Sequence, residues 1–234
     1  MLAAIHSRLK NLEKRLGERF GKDISTPEAR RAAWWHFQLM DHAFLRVWWT
    51  NFAMVAPGVF RSNQPSPARL RRYRDMGIRT IVSLRGEYGG SPMLFETEAC
   101  DELGLKLVSI RGFWARKPPT REAITEFEKV MREAEKPVLL HCKSGSDRAG
   151  VASAIYLMLF EGRPVEEAAR QLSWRFIHLK RTRTGVLDHM LRVFARDQKQ
   201  TGMGFSDWIE TRYDREAISA SFQDWLNGRW RDVP

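Results

Sequence analysis

The residues of this chain best suited to do chemistry lie together at 137–150, PVLLHCKSGSDRAG. An apolar run, Val138-Leu139-Leu140, leads directly into His141 and Cys142. Arg148 follows after five intervening residues, and then comes a stretch of small and apolar residues, 149–160. The pattern reads as a buried strand, a tight loop and a helix. Such a loop, with Gly145 inside it, can turn successive backbone N–H groups towards one point and make a nest for an anion. The helix adds the partial positive charge of its N-terminus there. Arg148 offers a planar fork of donors matched to phosphate oxygens. A cysteine at the start of this field is held towards the thiolate and becomes a nucleophile. A nucleophile and an electrostatic cradle for phosphoryl transfer thus fall within residues 141–148.

The elements that must position this loop alternate regularly. Residues 59–62 read as a short strand, and Ser66-Pro67 opens a helix that Gly77 closes. Residues 78–84 are β-branched and apolar, 92–103 helical, 105–110 a strand, 120–134 a helix and 137–141 the buried strand. Strands separated by helices of this length imply crossover connections and a mainly parallel sheet. From 149 onward the chain reads as helices, broken near Gly162-Arg163-Pro164, Thr184-Gly185 and 202–204. The fold class expected is α/β: a small, mainly parallel central sheet flanked by helices, with a helical N-terminal extension and a helical C-terminal half. Residues 1–54 form the extension and 55–234 the α/β domain. Within the extension, 1–20 shows amphipathic spacing, and Ser25-Thr26-Pro27 starts a second helix expected to run to about Phe52.

HCKSGSDR fits the His-Cys-x5-Arg signature of the cysteine-dependent protein tyrosine and dual-specificity phosphatases at His141, Cys142, Gly145 and Arg148. The chain resembles that family over about residues 55–175. The stretch VFRSNQP followed by IRTIVSLRG is similar to the opening of its compact bacterial, plant and fungal members. The resemblance implies that Cys142 attacks phosphorus and forms a thiophosphate intermediate. It implies that Arg148 and the amides of 143–148 bind the equatorial oxygens, and that His141 positions the loop and lowers the thiol pKa. Lys143, Ser144, Gly145, Ser146 and Gly150 join His141 as expected substrate-binding positions. No metal and no other cofactor is implied.

Two positions depart from the family pattern. Ala149 stands where the family usually has a hydroxyl that assists release of phosphate from the cysteine. The segment RGFWARKPPT, 111–120, lacks the aspartate that usually serves as general acid. Asp147 and Glu87 are the nearest substitutes, with Asp147 favoured. Each has a structural alternative, pairing with an arginine. A good leaving group would need the acid less. These departures leave a phosphate-binding module with weak catalysis as one rival. A rhodanese-like sulfurtransferase is another, against which the five-residue spacing argues.

Composition bounds the partners. Hydrophobic residues make up 43% and charged residues 29% of 234, as in folded soluble proteins. Lys and Arg number 39 against 28 Asp and Glu, a net charge of +11 that favours anionic partners. The expected substrate is a phosphorylated protein, or another anionic phospho-compound such as a phospholipid or inositol phosphate. Lys143 resembles a residue in the loops of phosphatases that act on the latter. The basic run Arg175, Lys180, Arg181 and Arg183, with His178 inside it, reads as a solvated face or a second anchor for such a substrate. No zinc spacing or nucleic-acid-reading motif is present, so nucleic acid is not expected. Two cysteines suit a reducing compartment. The expected location is cytoplasmic, with a peripheral membrane contact open through the N-terminal helices, where Trp34, Trp35, Trp48 and Trp49 cluster.

Overall fold

The computed structural model describes residues 21–86 and 89–228. Five strands form one sheet in the order β1-β2-β5-β3-β4: β1 Ala53–Ala56, β2 Val59–Asn63, β3 Thr80–Ser83, β4 Lys106–Ser109 and β5 Val138–Cys142. Only the β1–β2 pair is antiparallel, as a hairpin at Pro57-Gly58 dictates; the other neighbours run parallel. β5 is central and buried throughout, which explains its unbroken apolar run.

Alternation along β5 sorts its side chains between two cores. Val138 and Leu140 enter the larger core with α4 (Arg121–Glu133), α5 (Arg148–Phe160) and the C-terminal helices α7 (Val186–Thr201), α8 (Phe205–Thr211) and α9 (Arg215–Leu226). Leu139 faces the other side, with α2 (Pro67–Asp75) and α3 (Ser91–Leu103). A short helix, α6 (Val165–Ala168), links α5 to the 3-10 turns before α7. Helix starts follow local capping chemistry. Ser66, Thr120 and Asp214 each accept a backbone N–H from the first turn of α2, α4 and α9. The mainly parallel α/β architecture, the helical C-terminal half and the elements around residues 137–160 are as the sequence indicates.

The N-terminal side differs from expectation. Helix α1 (Pro27–Trp35) starts at Thr26 but does not continue to Phe52. A π turn at His36–Met40 follows, then His42 at φ 58°, a 3-10 turn at Ala43–Val47, and an extended run into β1. The cause is Asp41. Its backbone oxygen takes a hydrogen bond from Arg46 Nη1 (2.9 Å) and its carboxylate takes Arg46 Nη2 (2.7 Å), so the chain folds back on itself. Val47, Trp48, Trp49 and Thr50 are weak helix formers and do not oppose this. Helix α1 lies against α3 through Arg30 and Glu98 and through Trp34 on Phe95, which Phe37 of the π turn also meets. The amphipathic stretch 1–20 and Glu87 lie outside the described residues.

Candidate active site

Parallel pairing brings β2 alongside β5 with Ser62 opposite His141 and Asn63 opposite Cys142, so the loop after β5 leaves from the sheet's C-terminal edge. There the backbone must turn within five residues into α5. Gly145 makes the turn at φ +75°, and a Cβ on it would stand 2.6 Å from the amide nitrogen of Asn63. No side chain fits. The amide of Gly145 donates to Cys142 Sγ at 3.3 Å, so the loop already directs an N–H at the thiol. Cys142 is buried, as is His141, whose Nε2 lies 3.0 Å from Oε1 of the buried Glu96 on α3. Arg148 opens α5, and its Nη1 donates to the carbonyl of Leu84 just after β3 at 3.3 Å.

Much of what shapes this loop comes from residues that sequence reasoning missed. Arg61 on β2 is fully buried. Its Nη2 donates to the carbonyls of Gly145 (2.5 Å) and Ser146 (3.2 Å). Its Nη1 donates to the backbone and side-chain oxygens of Gln171 (2.7 and 2.8 Å), and its guanidinium lies 3.8 Å from the centre of the Phe176 ring. Burial pulls its pKa down to about 10, while Cys142 and Asp147 favour its charge. By holding the loop carbonyls outward, Arg61 leaves the amides free to point inward. Asn51 adds a clamp from the other side, donating to the carbonyls of Ser144 (2.8 Å) and Phe176 (3.0 Å). The local hint for Arg61 was its place inside VFRSNQP, where a charged side chain interrupts a buried strand; nothing beside Asn51 marked its role.

Lys143 reaches Asp41 Oδ1 at 3.4 Å. Asp41 is the buried hub of this corner: Arg85 Nη2 meets Oδ1 at 2.8 Å and Arg46 Nη2 meets Oδ2 at 2.7 Å. Burial alone would raise the Asp41 carboxyl, but Arg85, Arg46 and Lys143 hold it at about 2. A segment N-terminal to the sheet thus fixes the residue beside the cysteine. Ser144 Oγ accepts the amide of Ser146 at 3.3 Å, and Ser146 itself is buried. Gly150 lies in the first turn of α5, where a Cβ would meet Leu172 at 2.8 Å, the Gln171 carbonyl at 2.9 Å and Arg61 Nη2 at 3.4 Å, so it packs closely beside the arginine that holds the loop.

The remaining carboxylate of the loop, Asp147, is engaged. His178 Nδ1 meets its Oδ1 at 2.7 Å, and His178 Nε2 meets Oδ2 of Asp188 on α7 at 2.6 Å. His178 therefore belongs to the loop's surroundings rather than to a solvated basic face. Asp147 also borders a cavity of about 510 Å³ with Arg116 and Arg183. Alongside it, a cleft of about 900 Å³ is lined by Trp114, Arg116, Lys117, Arg148, Arg183 and Arg215. The 111–120 segment thus carries cations, not an acid, to the mouth of the site. Tyr213 and Arg215 hold it there by donating to the carbonyls of Pro119 (2.5 Å) and Pro118 (2.8 Å).

Cys100 is unlike Cys142. Burial, with Glu96 and Asp101 nearby, pushes its thiol up to about 12, and it lies in the smaller core while Cys142 lies in the larger. Nothing in this placement pairs the two. Among the described residues, no group of three or more His, Cys, Asp or Glu is arranged to hold a metal ion.

A nucleophile-bearing loop between a central parallel strand and a helix N-terminus, closed by an arginine after five intervening residues, defines the architecture of the cysteine-based tyrosine and dual-specificity phosphatases. Comparison with known proteins agrees: the family model described as a DSP-PTPase phosphatase fused to NAD+ kinase matches residues 54–184, more than half of the chain, and the chain belongs to that family. It is 30% identical over 105 residues to the inositol diphosphatase DSP3 of Arabidopsis thaliana, covering 43% of this chain and 50% of that protein. It is 32% identical over 104 residues to the inositol diphosphatase DSP4 of the same plant, covering 43% and 51%. The chain spans about half the length of these curated relatives. A crystal structure of a DUF442 protein from Shewanella putrefaciens CN-32 shares the fold at 17% identity, with a TM-score of 0.50 over 63% of this chain and 90% of that one.

Proposed function

We propose that this chain is a phosphatase that hydrolyses phosphomonoesters through a cysteinyl-phosphate intermediate, of protein tyrosine or dual-specificity type. The observation that carries the reading is the loop 142–148. It joins the Cys142 thiol, an amide already directed at it and Arg148 at a helix N-terminus. In this reading Cys142 attacks phosphorus while Arg148 and the loop amides take the charge of the equatorial oxygens. His141, set by Glu96, orients the loop; Lys143, Ser144 and Ser146 border the bound phosphate. Asp147 protonates the leaving group. The arginine and amides supply the charge stabilisation, so the reaction proceeds without added metal.

A second reading of the substrate is favoured by one observation. The cleft beside Arg148 gathers Arg116, Lys117, Arg183 and Arg215, more positive charge than one phosphate needs. An inositol phosphate or phospholipid headgroup would use it, and two relatives are named inositol diphosphatases, which accords with the first. Peripheral contact with a membrane is a further part of this proposal. Trp35 and Trp48 are exposed, at 61% and 87%, while among the described residues no helix is long and apolar enough to cross a bilayer.

The test is hydrolysis of an aryl phosphate without added metal by wild type and by Cys142→Ser. Turnover lost in the variant, with vanadate still bound, is the expected result. Turnover that persists in the variant rejects the nucleophile. A folded wild type that binds vanadate without turning over points to the binding module, and turnover of thiosulfate in place of an aryl phosphate to the sulfurtransferase.

A further inference from the structure

A loop that lacks the usual acid must draw a proton from elsewhere, and His178 is placed to supply it. It follows the 3-10 turn Trp174–Phe176, and Ile177 at φ 59° turns the chain so that the imidazole points inward. Its side chain is fully buried. Both ring nitrogens meet carboxylates, Asp147 at 2.7 Å and Asp188 at 2.6 Å. Only an imidazolium can donate at both. Lys180 reaches the far oxygen of Asp188 at 3.3 Å. From the site outward the charges therefore alternate: Asp147, His178, Asp188, Lys180. Asp147, the inner end, is part-exposed and borders the 510 Å³ cavity, whereas His178 is not among that cavity's lining residues.

We propose that His178, clamped between Asp147 and Asp188, is the positioning residue that aims Asp147 at the bound phosphate ester and stores the proton Asp147 delivers. This rests on the reading of the chain as a cysteine phosphatase. In the first half-reaction Cys142 Sγ bonds to phosphorus and the bond from phosphorus to the leaving oxygen breaks. That oxygen takes a proton from Asp147, which takes one from His178 Nδ1. In the second half a water oxygen bonds to phosphorus and the sulfur–phosphorus bond breaks. The water's proton passes through Asp147 back to Nδ1. Atoms and charges return to their starting places, with one water consumed per ester.

The surroundings favour the charged ring as the resting form. Burial opposes the charge, but the hydrogen bonds to Asp147 and Asp188 outweigh it and raise His178 to about 9. The other charges near this chain of groups are Lys180 on the histidine's own segment, Arg61, which interacts with Asp147 as well as with Cys142 and Arg175, and Arg116 and Arg183 across the cavity. A buried ion pair that merely pins residues 174–188 to the loop would share this geometry. It would not share its dependence on the leaving group.

The experiment compares wild type with His178→Gln on phenyl phosphate, a poor leaving group, and on p-nitrophenyl phosphate, a good one, across pH. Alkylation of Cys142 by iodoacetamide monitors the loop. The expected result is a loss of about 10²-fold on phenyl phosphate and about tenfold or less on p-nitrophenyl phosphate. Cys142 alkylation should be unchanged, and the fall in wild-type phenyl phosphate turnover near pH 9 should be absent from the variant. Equal losses on both esters, or an unchanged high-pH fall, overturn the proposal. Where His178→Gln does not fold, Asp188→Asn takes its place with the same expectations. Failure of both to fold assigns the cluster a structural role and likewise overturns the proposal. Wild-type turnover that survives Cys142→Ser rejects the cysteine reading itself, whereas a normal His178→Gln in an enzyme inactivated by Cys142→Ser rejects only the histidine's part.

Discussion

The two sides of the site are built differently. The nucleophile side, from Val138 to Arg148, is one continuous strand and loop, and its geometry follows from a buried strand, one glycine and a helix start. The side facing it is assembled from distant places: Asp41 before the sheet, Arg116 and Lys117 after β4, His178 and Asp188 beyond α5, and Arg215 on α9. A local motif can specify a nucleophile and an anion cradle, because backbone amides supply most of the field. Proton delivery and substrate selection need side chains that converge across the fold.

That contrast predicts where damage is greatest. Cys142→Ser should reduce turnover on the order of 10⁴-fold or more, measured on an aryl phosphate, with little change in thermal stability. Removing a support of the same loop should instead cost stability. Arg61→Ala strips the carbonyls of Gly145, Ser146 and Gln171 of their buried donor and opens a cavity, so chemical denaturation should show a loss of about 3 kcal/mol. A loss under about 0.5 kcal/mol, typical of a surface site, would mean that the loop holds itself.

Asp41 tests the assembled side. Folding lowers its carboxyl from 3.8 to about 2, so its stabilisation is complete above the unfolded value and is lost as the pH falls towards 2. A shift of that size is worth about 2 kcal/mol at neutral pH. Asp41→Asn should lose this at pH 7 and show a shallower acid limb of stability than wild type, read by thermal melting from pH 7 to 2. An identical acid limb would remove Asp41 from the hub. Finally, replacing Arg116 and Lys117 by Ala should raise KM about tenfold for an inositol polyphosphate while leaving KM for p-nitrophenyl phosphate nearly unchanged. Equal changes for both substrates would assign the cleft to the reacting phosphate alone.

How far the sequence could be read follows the same division. Strand and helix periods, capping hydroxyls and Gly77 mark β2 to α5, because each depends on neighbours a few residues apart. The expected helix to Phe52 failed because Asp41 draws Arg46 back onto it, and Asp41's other partners, Arg85 and Lys143, lie far along the chain. His178 looked like one member of a basic run, since its two carboxylates are 31 and 10 residues away. Arg61 looked like a polar residue on a short strand. Its burial shows only once β2 lies against β5 and Gln171 closes over it. Gly150 stands in the motif as an expected substrate-binding position; its close packing against Leu172, Gln171 and Arg61 shows only once the later turns are in place.

The most direct test of the account is to quench the wild-type enzyme in acid during turnover of an aryl phosphate and locate covalent phosphate by mass spectrometry. A cysteinyl-phosphate intermediate puts phosphate on the peptide that contains Cys142, and none on that peptide in Cys142→Ser. Phosphate carried by any other residue, or continuing turnover with no cysteine-bound phosphate while Cys142→Ser remains active, would contradict it.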